Sequence, residues 1–162
     1  MGNDALNVLK KALKLEQDGR AFYLQAAERT VDLKGKSMFA SLADDEVKHA
    51  EMIERQIAAL AEGKDWLPID LVAQGVDLES PLFPQGKEAF EKAVAADSNE
   101  LEALAFALQI ENDSYELYAK MAKMADDLNA RQMYGYLAAA ERTHFNLLMS
   151  NYESLSTIGG WI

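Results

Sequence analysis

The chain of 162 residues contains no cysteine. Disulfides, zinc–thiolate sites and iron–sulfur centres are therefore excluded. Proline is nearly absent: Pro68, Pro81 and Pro84 are the only three, and all fall in one stretch. With 9 glycines besides, the chain has too few breakers for a loop-rich or collagen-like protein. No run approaches the ~20 apolar residues of a membrane span, so no membrane partner is expected. Basic residues are also in short supply, with 16 Lys and Arg against 27 Asp and Glu and a net charge of −11. Nucleic acid requires a positive surface and is excluded on that ground, leaving cations as the natural partners. Met1-Gly2-Asn3-Asp4 leads straight into a charged amphipathic pattern with no apolar signal core, so the expected location is cytoplasmic.

What remains is long runs of Ala, Leu, Glu, Lys, Gln and Met, a helix-forming composition. Four long helices are expected, at roughly 4–30, 36–62, 98–126 and 130–156, with Gly35 and Gly63 as stops and Asp97 with Glu100 at capping-box spacing. Short connections fold helices 1 and 2, and helices 3 and 4, into antiparallel hairpins. Residues 63–97 form a long, proline-bearing crossover with room for a short helix at Lys87–Ala95. Trp66, Leu67, Ile69, Leu71, Val72 and Phe83 make it apolar enough to pack on the bundle or on a second subunit. Each half alone is too small to bury a core, so one all-α domain over 1–162 is expected: a four-helix bundle of two hairpins.

The halves resemble each other. Sliding residues 12–60 onto 107–155, without gaps, matches 14 of 49 positions identically. Glu16 falls on Glu111, Asp18 on Asp113, Tyr23 on Tyr118, Glu46 on Glu141 and His49 on His144. This is the pattern of a pseudo-twofold bundle.

An apolar seam of alternating three- and four-residue steps runs through each helix. Helix 2 reads Phe39, Leu42, Glu46, His49, Ile53, Gln56, Leu60, and helix 4 reads Tyr134, Leu137, Glu141, His144, Leu148, Asn151, Leu155. Glu16 and then Arg20 interrupt the seam of helix 1, and Glu111 and then Tyr115 that of helix 3. Burying four carboxylates together is prohibitive unless protons or cations neutralise them. Two divalent cations balance four Glu, and two neutral imidazoles complete the shells. Glu and His three residues apart lie on one helix face, so both reach the same metal pair. An oxygen-rich donor set with one His per metal suits iron, or else manganese, rather than structural zinc. Both histidines carry Glu at −3 and again at −33. The seven Met and most aromatic residues fall at helical spacing and read as core, while Asp44-Asp45 and Asp126-Asp127 read as solvated or capping pairs, with transient iron entry as the alternative.

Leu15-Glu16 through Tyr23, Glu46-Val47-Lys48-His49, Ile110-Glu111 through Tyr118 and Glu141-Arg142-Thr143-His144 together resemble the ferritin-like di-iron carboxylate proteins, and among them the rubrerythrin branch. The resemblance implies two iron ions held by Glu16, Glu46, His49, Glu111, Glu141 and His144. Glu46 and Glu141 would bridge the irons, and Glu16 and Glu111 would be terminal ligands. Tyr23 and Tyr118 match tyrosines that hydrogen-bond the ligand carboxylates, although plain core packing would also place them there. The implied activity is a di-iron oxidoreductase that oxidises Fe(II) with O2 or hydrogen peroxide, works as a homodimer and is re-reduced by an external, rubredoxin-like or other, electron donor. The chain departs from the family twice. It lacks the cysteine-rich relay domain, and Ser114 stands where an additional carboxylate serves peroxide-driven ligand exchange. The alternative is an iron-storage ferroxidase subunit of a ferritin-like shell. Against it, only 18 residues follow His144, too few for the extra C-terminal helix of such shells.

Overall fold

The computed structural model describes residues 2–69 and 99–162. Lys87–Ala95, Pro81, Pro84, Leu71, Val72, Phe83 and the Asp97 half of the capping pair lie outside the described residues. Four helices make up the rest: α1 (Gly2–Arg29), α2 (Leu33–Ala61), α3 (Asn99–Met124) and α4 (Leu128–Thr157). α1 lies along α2 and α3 along α4, and α1 meets α3 between the hairpins. The architecture is the four-helix bundle expected from the sequence.

Both hairpin turns use the same device. Asp32 caps α2, its carboxylate accepting hydrogen bonds from the backbone N–H groups of Lys34 at 2.8 Å and Gly35 at 3.3 Å. Asp127, its counterpart in the repeat, caps α4 by accepting from Asn129 at 2.8 Å and Ala130 at 3.1 Å. A capping carboxylate satisfies donors that the first turn cannot and favours the positive helix end. α2 ends as expected at Gly63, whose φ of +77° is costly for a side-chain-bearing residue.

Gly35 is not a stop. It lies in the first turn of α2, where a Cβ would come within 2.6 Å of the Trp161 ring and 2.8 Å of Thr30. Glycine is there for close packing, because the chain after α4 folds back over this end of the bundle. Ser154 Oγ donates to the Gly160 carbonyl at 2.6 Å, and the Ile162 N–H donates to Asn151 Oδ1 at 3.1 Å. The seams of α1 and α3 also run slightly differently from the expected steps. Arg20 is exposed and Tyr115 only partly buried, while Ala12, Gly19, Ala107 and Ser114 face inward. The guanidinium keeps its water, and small residues leave room for the carboxylates beside them.

The core is split. One apolar cluster includes Tyr23, Phe39, Leu104, Leu148 and Trp161; the other includes Leu9, Ile53, Tyr118, Met133 and Tyr134. On every helix the seam carboxylate falls between residues of the one cluster and residues of the other.

Gly35→Ala should lower stability by about 1–3 kcal/mol, as overpacking does elsewhere. Urea melts of the two proteins measure it, and an unchanged midpoint would mean that Trp161 is not seated against this glycine.

Candidate metal centre

Each helix delivers its carboxylate to the layer between the two clusters, and α2 and α4 add a histidine one turn later. Glu16, Glu46, His49, Glu111, Glu141 and His144 are all buried. Their donor atoms gather in two overlapping groups, each with its atoms within 4.8 Å of one another. Glu16, Glu46, His49 and Glu141 form one; Glu46, Glu111, Glu141 and His144 form the other. Glu46 and Glu141 therefore belong to both groups, Glu16 and Glu111 to one each. His49 Nδ1 lies 3.4 Å from Glu16 Oε2 and 3.4 Å from Glu141 Oε1. His144 Nδ1 lies 3.3 Å from Glu46 Oε1 and 3.4 Å from Glu111 Oε1. The two imidazoles stack with centroids 5.7 Å apart.

Both Nδ1 atoms and one oxygen of each Glu are buried without a hydrogen-bond partner. Buried polar atoms are rarely left so in folded proteins. Here they converge from four helices on the same space. Two groups of hard oxygen donors, each with one imidazole nitrogen, fit a pair of first-row cations. The remaining oxygens of Glu111 and Glu16 accept hydrogen bonds from Tyr23 and Tyr118, each reaching across from the opposite hairpin. Burial and the surrounding carboxylates hold both phenols well above their usual pKa, so they stay donors.

With protons alone to balance it, the layer divides its charge unevenly. Burial and the Glu141 charge raise Glu46 well above the usual carboxylate range and push Glu111 up to about 8. Glu16, despite its burial, is lowered to about 2 by the neighbouring Glu46 and the facing His49, and Glu141 is lowered too. Burial disfavours the charged imidazoles, yet the facing carboxylates outweigh it: His49 rises to about 9 and His144 rises well above its usual value. Within one layer the shifts thus run in opposite directions: Glu46, Glu111 and both imidazoles favour their protonated forms, Glu16 and Glu141 their ionised ones.

Asp45 is the site residue that sequence reasoning missed. Read as solvated or capping, it instead lies 3.1 Å from His144 Nε2 across the hairpin boundary, and that hydrogen bond lowers its pKa. Accepting the Nε2 proton directs the Nδ1 lone pair of a neutral ring toward Glu46 and Glu111. The signal was available in the repeat: the counterpart of Asp45 is Ala140, so a difference between the halves falls beside a ligand-type residue. His49 instead has the Tyr136 ring edge-on at 6.1 Å. Gly19 also matters, because a Cβ there would sit 3.3 Å from Glu46 Oε2. Of the other acidic pairs, Asp127 caps α4 and Asp44 is exposed.

A family model described as Rubrerythrin matches residues 7–152. No curated protein and no solved structure matches the chain.

The charge division sets a pH dependence. Glu46, Glu111, His49 and His144 have raised folded-state pKa values, so their contribution to stability is whole below the unfolded values and is lost as pH rises through the folded ones. For His49 that window runs from 6.5 to about 9, and for Glu111 from 4.5 to about 8. Glu16, lowered to about 2, contributes in the opposite sense and loses its share only in acid. The melting temperature of the metal-free chain should therefore fall between pH 6.5 and about 9. Binding of divalent metal at pH 7 should release protons, read as a calorimetric heat that depends on the buffer. A flat melting profile and a buffer-independent heat would show that the six groups do not titrate together.

Proposed function

The chain belongs to the rubrerythrin family, and from that premise we propose that it is a di-iron oxidoreductase that oxidises Fe(II) while reducing O2 or hydrogen peroxide. The observation that carries this reading is the pair of overlapping donor groups sharing Glu46 and Glu141. Glu16 and His49 would complete one metal position, and Glu111 and His144 the other. Two irons held side by side supply two electrons to an O–O bond together, avoiding a one-electron product. Manganese satisfies the same donor set, and the choice of iron rests on the family.

The residues of the chain have distinct parts in this. The four carboxylates offset two divalent charges, and the imidazoles bind as neutral ligands after giving up their protons. Tyr23 and Tyr118 fix one oxygen of Glu111 and of Glu16, leaving the other oxygen of each buried without a hydrogen-bond partner. Leu9, Ile53 and Leu137 on one side, and Leu42, Leu108 and Leu148 on the other, are almost wholly buried and exclude bulk water from the layer. In such surroundings an electrostatic contact is stronger than in water. Asp45 holds the His144 ring in the orientation and tautomer that a ligand needs. Ser114, buried in α3 three residues after Glu111, offers a hydroxyl and no further charge. This favours ferrous oxidation at a fixed ligand set over a cycle in which carboxylates exchange. Re-reduction would come from a separate one-electron donor. Storage of iron in a shell uses the same oxidation step, and a native mass of many subunits would move the reading there.

Anaerobic titration with Fe(II), followed by metal analysis, should give about two irons per chain, the number of donor groups. His49→Ala and His144→Ala should each abolish one of them. Asp45→Asn should weaken the His144 position alone, by about 10–100-fold, the usual effect of removing such a partner. Iron content near zero in the wild type would overturn the reading, and equal weakening of both positions by Asp45→Asn would overturn the part given to Asp45.

A further inference from the structure

The internal repeat extends beyond the metal layer to the chain that follows each hairpin. After α2, Gln56 holds the backbone of Leu67: its Nε2 donates to the Leu67 carbonyl, and the Leu67 N–H donates to its Oε1, both at 2.8 Å. After α4, Asn151 receives the Ile162 N–H in the same way. Gln56 and Asn151 are counterparts at the spacing that relates Glu16 to Glu111, and so are Leu67 and Ile162. The residues just before the held positions, Trp66 and Trp161, are counterparts too.

Each tryptophan begins a file of rings that ends on a cluster carboxylate. Trp66 meets Tyr134 edge-on at 5.9 Å, Tyr134 stacks on Tyr118 at 6.3 Å, and Tyr118 donates to Glu16. Trp161 meets Phe39 edge-on at 5.8 Å, Phe39 stacks on Tyr23 at 6.2 Å, and Tyr23 donates to Glu111. The geometry is the same in both files, but the chemistry is not. Phe39 cannot be oxidised under biological conditions, and Trp161 is only 7% exposed. In the other file every ring is an indole or a phenol, and Trp66 is partly exposed. Packing alone does not call for the Tyr134 hydroxyl, since phenylalanine fills the mirror position and a buried phenol carries a desolvation cost that it avoids. Gln56 and the Asn129 side chain, which donates to the Trp66 carbonyl at 3.1 Å, hold the outer end of this file in place.

We propose that Trp66, Tyr134 and Tyr118 form a path along which single electrons pass from the surface to the metal cluster. The proposal rests on the di-iron reading for its inner terminus. Tyr118 gives one electron to an oxidised centre and its phenolic proton to the Glu16 oxygen that it already faces. An electron from the Trp66 indole, crossing the Tyr134 ring, refills Tyr118, and the proton returns from Glu16 to the phenol oxygen. The Trp66 cation radical is discharged at the surface by a one-electron reductant. In sum, one electron moves from that reductant to the centre, and no bond between heavy atoms is made or broken. The file through Phe39 lacks the middle relay and serves as packing.

Pulse radiolysis of the full chain tests the path without metal. Azidyl radicals oxidise tryptophan, and transient absorption follows tryptophanyl and tyrosyl radicals separately. A conversion of one into the other that is independent of protein concentration is expected in the wild type and in Trp161→Phe. It should be lost in Trp66→Phe and in Tyr134→Phe. The last variant removes one oxygen and keeps the ring, so it separates loss of the relay from loss of packing. Conversion at the wild-type rate in either Trp66→Phe or Tyr134→Phe overturns the path. Iron content measured on the same preparations decides the di-iron reading separately, so either can fail alone.

Discussion

Four carboxylates buried in one layer need compensating positive charge, and most of the structure follows from that need. Each helix supplies one carboxylate, so no single helix carries the repulsion, and all four charges meet only when both hairpins are assembled. The apolar clusters above and below provide the burial that makes the layer costly when unbalanced and a strong site when balanced. Protons ease the problem in the direction of the shifts, which favour the protonated forms of Glu46, Glu111 and both histidines. Divalent metals solve it with the same atoms after those protons leave. The binding site and the cost of the unbalanced layer are thus one property, and metal binding would stabilise the fold through linkage.

The repeat shows which features the fold requires and which the site has specialised. Capping aspartates Asp32 and Asp127, holding amides Gln56 and Asn151, and carboxylate-bound phenols Tyr23 and Tyr118 recur in register. They serve the hairpin, which occurs twice. Pairs that differ next to the metal layer include Asp45 and Ala140, Gly19 and Ser114, and Phe39 and Tyr134. Each gives one half a group that the other lacks: a carboxylate on a histidine, clearance for a bridging-type carboxylate, a phenol between two aromatic rings. A pseudo-symmetric frame therefore encloses a centre with two unlike sides.

Much of this was legible in the sequence because periodicity and spacing translate directly into helix faces. The four helices, their pairing and the gathering of Glu16, Glu46, His49, Glu111, Glu141 and His144 all follow from a polar interruption at the same seam position. What stayed hidden depends on contacts between elements rather than on spacing within one. Gly35 reads as a stop because glycine usually breaks helices, yet here it makes room for Trp161, which is 126 positions away. Asp45 reads as solvated because nothing in its own helix marks the approach of His144. Arg20 falls on an ideal seam, but the shift of phase that leaves it in water depends on the small residues Ala12 and Gly19 facing the neighbouring helix. The ring files were invisible for the same reason, since each crosses between hairpins at its first and last steps.

Ser114 connects the charge of the layer with its redox behaviour. Four carboxylates give −4 and two divalent cations give +4, so the cage is neutral around a reduced pair. Two trivalent ions would give +6, an excess of +2 over the four carboxylates that hydroxide from the reduced oxidant would have to offset. A fifth carboxylate at position 114 would offset half of that excess and favour the oxidised state. A hydroxyl offsets none of it. Net charge and exclusion of solvent are among the factors that set the potential of a buried metal group. On the proposed di-iron reading, a cage balanced for divalent ions would pull electrons back after oxidation and would benefit from a built route by which they return. Among the described residues, the file of oxidisable rings from Trp66 to Glu16 would answer that demand on one side of the bundle, while Phe39 interrupts the file on the other.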